Sequence, residues 1–269
     1  VRSDWADLPE DLRNQIEAET GRIGQIVPAS TGNHADIAST VHTAAGRVFV
    51  KAARKLADRD GPEVMSLRRE AAINPAVREF APRLRWQTET GGWLALGFDH
   101  IEGRRADFTA GSPDLETLAK IVHALQDASC PQTPMLAAER RWQKYTDSPA
   151  VFAGAALLHT DLNEDNLIIA EDGNAYVVDW AFVTRGAPWL ELMMLMPWLI
   201  GAGHHPRDAD AWASQFPAWA GAPPEALNAF TAGYAAHWSN AAQARPDEWV
   251  TRHAALIGTW AAYRLEEYP

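Results

Sequence analysis

The chain has 269 residues, 47% of them hydrophobic, and a formal net charge of −11, enough to bury a substantial core as one large domain or two smaller ones. The acidic balance argues against a nucleic-acid backbone as the main partner, because that binding rests on lysine and arginine neutralising phosphates; a cationic small molecule would suit the field, although acidity is also a common solubility device. The single cysteine, Cys130, excludes an intramolecular disulfide or a cysteine-cluster metal site and makes a reducing, cytoplasmic setting the default.

The first residues, Val1-Arg2-Ser3-Asp4-Trp5, contain no apolar run suited to a signal peptide, and the missing initiator methionine implies residues trimmed or absent before Val1. A short helix is expected from Leu8 to Thr20 with Pro9 near its start. Alternating and β-branched runs at Ile23 to Val27, Ile37 to Thr43 and Arg47 to Lys51 read as an antiparallel meander turning at Gly46. A helix at Pro62 to Asn74 follows, then strands at Leu84 to Thr90 and Trp93 to Phe98 joined by Gly91-Gly92, a hairpin signal.

From Gly103 the pattern turns helical. Ser112-Pro113 reads as an N-cap with proline at the first helical position, followed by Leu115, Leu118, Ile121, Val122 and Leu125 at helical spacing. Two short strands, Leu167 to Ile169 and Ala175 to Val178, flank the turn Glu171 to Asn174, and helices are expected at Asp208 to Phe216, Pro224 to Ala244 and Pro246 to Glu267. The longest apolar stretch, Leu190 to Ile200, is broken by Glu191 and Pro197 and falls far short of the roughly 20 residues of a membrane span. The sum is α+β: a small β-rich part at 1–102 with a connector at about 98–102, and a larger helical part at 103–269.

The sharpest chemical signal is His159-Thr160-Asp161-Leu162-Asn163-Glu164-Asp165-Asn166, with Asp179 thirteen residues beyond Asn166 at the end of Tyr176-Val177-Val178. This is the spacing of a kinase catalytic loop and of the metal-binding aspartate beyond its hairpin. Phosphoryl transfer needs an oriented hydroxyl in line with the phosphorus and a hard cation neutralising the phosphates. Asp161 can accept the hydroxyl proton. The amide oxygen of Asn166 and the carboxylate of Asp179 are the hard oxygen ligands that magnesium prefers. His159 reads as a residue that orients the loop. Asp and Asn in such a loop could also serve only as turn formers.

The segments Leu157-Leu158-His159-Thr160-Asp161-Leu162-Asn163, Val177-Val178-Asp179-Trp180 and Arg185-Gly186-Ala187-Pro188-Trp189 resemble the aminoglycoside phosphotransferase family, kinase-like enzymes that phosphorylate hydroxyls of small molecules. The order of elements supports the resemblance over nearly the whole chain. It implies a bilobal protein-kinase-like fold, with Asp161 as base and Asn166 and Asp179 as ligands of magnesium. It also implies Lys51 as the phosphate-contacting lysine, with Glu70 as its ion-pair partner. The connector Phe98 to Ile101, with Phe98 and His100 as nucleotide contacts, would meet the adenine edge, and Ser30 to His34, including Gly32 and Asn33, would cover the nucleotide. ATP and GTP remain equal alternatives, and the acceptor would be a hydroxylated small molecule such as an aminoglycoside or another antibiotic.

The departures narrow the acceptor class. Thr160 replaces the arginine of protein kinases, Trp180-Ala181 replaces Phe-Gly after Asp179, and only eleven residues separate Asp179 from Glu191, too few for a peptide-docking activation segment. Glu191 lies where relatives carry an acidic residue that buttresses the catalytic loop. The acceptor pocket is expected among the C-terminal helices, where most of the tryptophans are core material. His204-His205 read as solvent-facing or capping residues, and Glu266-Glu267 as a solvated helix end. A nucleotide-binding pseudokinase, and a metal-dependent hydrolase using His159, Asp161 and Asp179, are the rival readings.

Overall fold

The computed structural model describes residues 3–29 and 35–268. In chain order its elements are α1 (Glu10–Thr20), β1 (Ile23–Pro28), β2 (Ile37–Thr43), β3 (Gly46–Arg54), α2 (Pro62–Ile73), β4 (Leu84–Thr90), β5 (Trp93–Asp99), β6 (Gly103–Arg105) and α3 (Asp114–Asp127). They continue with β7 (Leu136–Ala137), α4 (Ala138–Arg141), β8 (Ala156–Leu158), β9 (Leu167–Ala170), β10 (Ala175–Val177), β11 (Thr184–Gly186), α5 (Trp189–Gly201), α6 (Pro206–Ala213), α7 (Pro217–Ala220), α8 (Pro224–Ala244) and α9 (Glu248–Glu267). The chain divides into two compact units, one of Val1–Arg105, Pro131–Pro134 and Asp165–Val183, the other of Ala106–Cys130, Met135–Glu164 and Thr184–Pro269.

The first unit is built on an antiparallel sheet of order β1-β2-β3-β5-β4. Its period-2 alternation sorts the side chains onto two faces. Val48, Val50 and Ala52 of β3 join Trp93 and Ala95 of β5 in a cluster with Leu12 and Ile16 of α1. Ala53 of β3 and Leu94, Leu96 and Phe98 of β5 pack instead against Val64 and Leu67 of α2. Lys51 therefore shares the α2 face with Phe49 and Ala53. Gly91 and Gly92 turn β4 into β5 at φ 57° and 76°, angles that glycine adopts without steric cost.

A three-stranded sheet, β10-β9-β6, completes this unit. Gly103–Arg105, for which the sequence predicts no element, is a strand paired with β9, with Arg104 opposite Ile169. A Cβ on residue 103 would lie 2.4 Å from the Ile169 carbonyl oxygen, so the pairing depends on glycine.

The second unit is mainly helical. Helix α3 buries Leu118, Ile121, Val122 and Leu125. It begins at Asp114 and not at Pro113, with the Ser112 hydroxyl accepting from the Asp114 amide at 3.2 Å. Helix α5 is buried along almost its whole length despite Pro197. The helix expected at Asp208 to Phe216 is α6, shifted two to three residues toward the N-terminus, and a further short helix, α7, follows it; each has proline in its first turn. The last helix starts after Pro246, where Asp247 caps it by accepting from the Val250 amide at 2.9 Å. This unit also contains a small sheet of order β7-β11-β8 and an aromatic cluster in which the Phe152 and Trp189 rings meet Phe230 edge-on. Among the described residues no helix is long and apolar enough to cross a membrane.

Candidate active site

In the first unit, a cavity of about 170 Å³ is lined by Thr40, Phe49 and Lys51 from the large sheet, by Phe98, His100 and Ile101 at its connector end, by Glu70 of α2, and by Ile168, Val178, Asp179 and Trp180. The Lys51 ammonium donates to both carboxylate oxygens of Glu70 at 2.9 Å and to Asp179 Oδ1 at 2.9 Å. Burial alone would depress the lysine, but the flanking Asp179 and Glu70 carboxylates hold its pKa above the usual range. Glu63, the other glutamate of α2, is only half-buried, and Glu70 is buried. A cation fixed between two carboxylates at a cavity wall is pre-organised to meet a phosphate oxygen.

His100 is half-buried with Nδ1 3.5 Å from the Thr40 hydroxyl. Burial, reinforced by the nearby Arg47 guanidinium, lowers its pKa and favours the neutral ring. Gly32 and Asn33 lie outside the described residues.

Asn166 and Asp179 are brought together by the β9–β10 hairpin and the chain that follows it. The Val178 amide donates to the Asn166 carbonyl at 2.9 Å, and Tyr176 pairs with Ile168. Asp179 is in the left-handed region, φ 66° and ψ 61°, a conformation that Asp tolerates better than most residues. The turn beyond it is held by Arg69, whose Nε donates to the Ala181 carbonyl at 3.0 Å, and by the Trp180 indole donating to the Val177 carbonyl at 3.1 Å. One carboxylate and one amide oxygen suit magnesium, which completes its shell with waters and substrate phosphates.

In the second unit, Asp161 follows Thr160, which is also left-handed at φ 67°. Glu191, buried at 1% exposure on α5, accepts from the His159 amide at 2.6 Å and from the Thr160 amide at 3.1 Å. Burial pushes its pKa up to about 7, against the pull of those two amide bonds. The buried His159 ring accepts from the Asp161 amide through Nδ1 at 3.3 Å, which makes it an orienting residue. Asn163 donates to Asp161 Oδ1 at 3.1 Å, steering the carboxylate.

Sequence reasoning missed Arg141. It ends the four-residue helix α4 and donates from Nη1 to the hydroxyls of Thr160 at 2.7 Å and Thr184 at 3.0 Å. It also missed Arg69 as the support of the Trp180 turn; a charge adjacent to Glu70 on one helix left no signal beyond that of an ordinary surface residue. The His204-His205 pair has local roles: His204 Nε2 is 2.7 Å from the Phe108 carbonyl, and His205 caps α6 by accepting from the Arg207 amide.

Solved structures similar to this chain share its protein-kinase-like fold. The choline kinase LicA from Streptococcus pneumoniae aligns over 94% of this chain and 99% of its own, with TM-score 0.64 and 13% identity. An AMP-bound spectinomycin phosphotransferase aligns over 94% and 98%, with TM-score 0.61 and 10% identity. A microcompartment-associated aminopropanol kinase aligns over 96% and 97%, with TM-score 0.60 and 10% identity. No curated protein matches the sequence. The sequence pattern of the phosphotransferase enzyme family matches residues 33–249, a span that includes Lys51, the loop of Asp161 and Asp179, and the chain belongs to that family.

Proposed function

We propose that the protein is a magnesium-dependent kinase that transfers a phosphoryl group from ATP or GTP to a hydroxyl of a small molecule. The observation that carries this reading is the Lys51 ammonium, fixed at 2.9 Å from both Glu70 and Asp179 on the wall of the cavity. Lys51 draws the triphosphate into place, with Glu70 holding its direction. Phe98 and His100 frame the base. Asn166 and Asp179 hold magnesium, which when bound neutralises charge on the phosphates. Asp161, steered by Asn163, accepts the proton of the acceptor hydroxyl as the oxygen attacks phosphorus.

A hydroxylated amine is the acceptor class that best suits the net charge of −11. The similar structures named above are, by name, kinases of choline and aminopropanol and a phosphotransferase of spectinomycin, all hydroxylated amines; an aminoglycoside or other antibiotic belongs to the same class. A single cysteine suits the reducing cytoplasm. The hydrolase alternative needs several converging protein ligands, and among the described residues no group of three His, Cys, Asp or Glu could hold a metal ion.

The test is a thermal-shift titration with ATP and GTP, each with and without magnesium, then with a panel of amino alcohols and aminoglycosides in the presence of the better nucleotide. A magnesium-dependent nucleotide shift and ADP or GDP release with one acceptor is the expected result. Nucleotide binding without turnover of any acceptor would favour a pseudokinase, and no nucleotide shift under any condition would overturn the reading.

A further inference from the structure

Thr160 poses a conformational problem that the two amide bonds to Glu191 leave unsolved. A β-branched residue at φ 67° is a steric outlier, whereas glycine would take that angle freely. Glu191 secures the backbone N–H groups of His159 and Thr160 from the α5 side. The threonine side chain is secured separately, by the 2.7 Å bond that its hydroxyl accepts from Arg141.

Arg141 is itself well anchored. The same Nη1 reaches the Thr184 hydroxyl on β11 at 3.0 Å, and the guanidinium lies over the Trp142 ring at 4.8 Å. Burial lowers the Arg141 pKa, while Tyr234, Tyr145, Asp161 and Glu191, in that order, draw it back up. A desolvated cation nineteen residues upstream of Thr160 thus meets the loop position at which protein kinases carry an arginine of their own. Because the Thr160 ψ angle leads straight into the Asp161 peptide, any relaxation of Thr160 toward ordinary φ values would swing the Asp161 carboxylate.

We propose that Arg141 is a positioning residue, which clamps the hydroxyl of Thr160 so that this strained threonine holds Asp161 in its working orientation. The clamp is a property of the loop. Its catalytic meaning rests on the phosphotransferase reading above.

The test uses the full chain with Arg141→Gln and Thr160→Gly, singly and together. Hydrogen exchange over Leu157 to Leu162, measured with no nucleotide or acceptor, should speed up about tenfold in Arg141→Gln. In the double variant it should be no faster than in Thr160→Gly alone, because glycine needs no clamp. Turnover of magnesium-ATP with the best acceptor from the panel above should show kcat about 10- to 100-fold lower in Arg141→Gln with KM for ATP unchanged, since a displaced catalytic group costs rate more than binding. Thr160→Gly should restore part of that loss in the Arg141→Gln background, a rescue that a merely structural arginine would not permit.

Wild-type kcat and exchange in Arg141→Gln, or a loss that Thr160→Gly does not relieve, would overturn the proposal. If Arg141→Gln is insoluble, Arg141→Lys, which keeps the charge, takes its place in every comparison. Insolubility of both would assign Arg141 to the fold and overturn the proposal. The exchange result expected here, combined with a wild type that turns over no acceptor, would leave the clamp standing and reject the phosphotransferase reading. An active wild type with unaltered exchange in Arg141→Gln would reject the clamp alone.

Discussion

Each unit holds a buried carboxylate beside the candidate site, and the two are held by opposite means. In the first, the Lys51 ammonium lies between the carboxylates of Glu70 and Asp179, so each buried ion has an ionic partner. In the second, the Glu191 carboxylate faces the backbone amides of His159 and Thr160, and its pKa rises to about 7 because amide dipoles offset burial only in part. The ionic arrangement can trade a partner for a phosphate or a metal ion when ligand arrives. The amide arrangement cannot be rearranged without moving the loop that carries Asp161, so it serves rigidity. Each unit has a left-handed non-glycine residue in its candidate site, Asp179 in one and Thr160 in the other, and these are the ones with positive φ among the described residues. Strain of this kind persists only where the surroundings over-determine it.

The contrast can be broken most forcefully at Asp161. Asp161→Asn should cut kcat by roughly 10²- to 10⁴-fold, the usual contribution of a general base, while the magnesium-nucleotide thermal shift stays as in the wild type. Equal loss of both would remove the division of labour between the loop and the cavity. Lys51→Met should reverse the pattern. It leaves two buried carboxylates facing each other without their cation, a change that costs about 3–5 kcal/mol in comparable buried pairs, and it should weaken nucleotide binding in the same titration. Urea denaturation measures the stability part.

Glu191→Gln sharpens the comparison through pH. The folded carboxyl titrates at about 7 against a reference of 4.5, so the folded state holds the proton more tightly than the unfolded chain does. Stability from this group is therefore greatest below about 4.5 and declines as pH rises toward 7, by roughly 3 kcal/mol in all. Glu191→Gln should flatten that decline in melting temperature measured across pH 4.5 to 7.5, while weakening the loop anchor at every pH. The smallest effect belongs to an exposed ion pair, Lys120 with Glu116 on α3, 71% and 77% exposed. Lys120→Ala should leave the urea denaturation midpoint as in the wild type, and a clear shift would show that burial is not what separates the candidate-site charges from the rest.

Local chemistry was readable where one residue type dictates one conformation. Gly91-Gly92 marked the β4–β5 turn, Pro62 opened α2, and the alternation of Ile37 to Thr43 reappeared as β2 with those bounds. Glu70 was nameable as partner of Lys51 only through the family resemblance, and the structure pairs the two at 2.9 Å. The short strands behaved differently. Gly103-Arg104-Arg105 is exposed and charged and has no strand pattern, and the sheet β7-β11-β8 is made of segments two or three residues long, which are too short for any periodicity.

By itself the sequence determined the five strands of the large sheet, the helices α1, α2, α3, α8 and α9 and the β9–β10 hairpin, and it singled out Asp161, Asn166 and Asp179 as candidates, because side-chain period and motif spacing are local properties of the chain. Glu191 was expected from the resemblance as a buttress of the loop, and the structure gave its partners, the His159 and Thr160 amides thirty-odd residues away; tertiary structure alone decided the pairing of β6 with β9 across more than sixty positions and the seat of Arg141 on the Thr160 hydroxyl. Those partnerships depend on pairing between distant segments, where the free energy comes from satisfying buried polar groups whose neighbours no local pattern specifies.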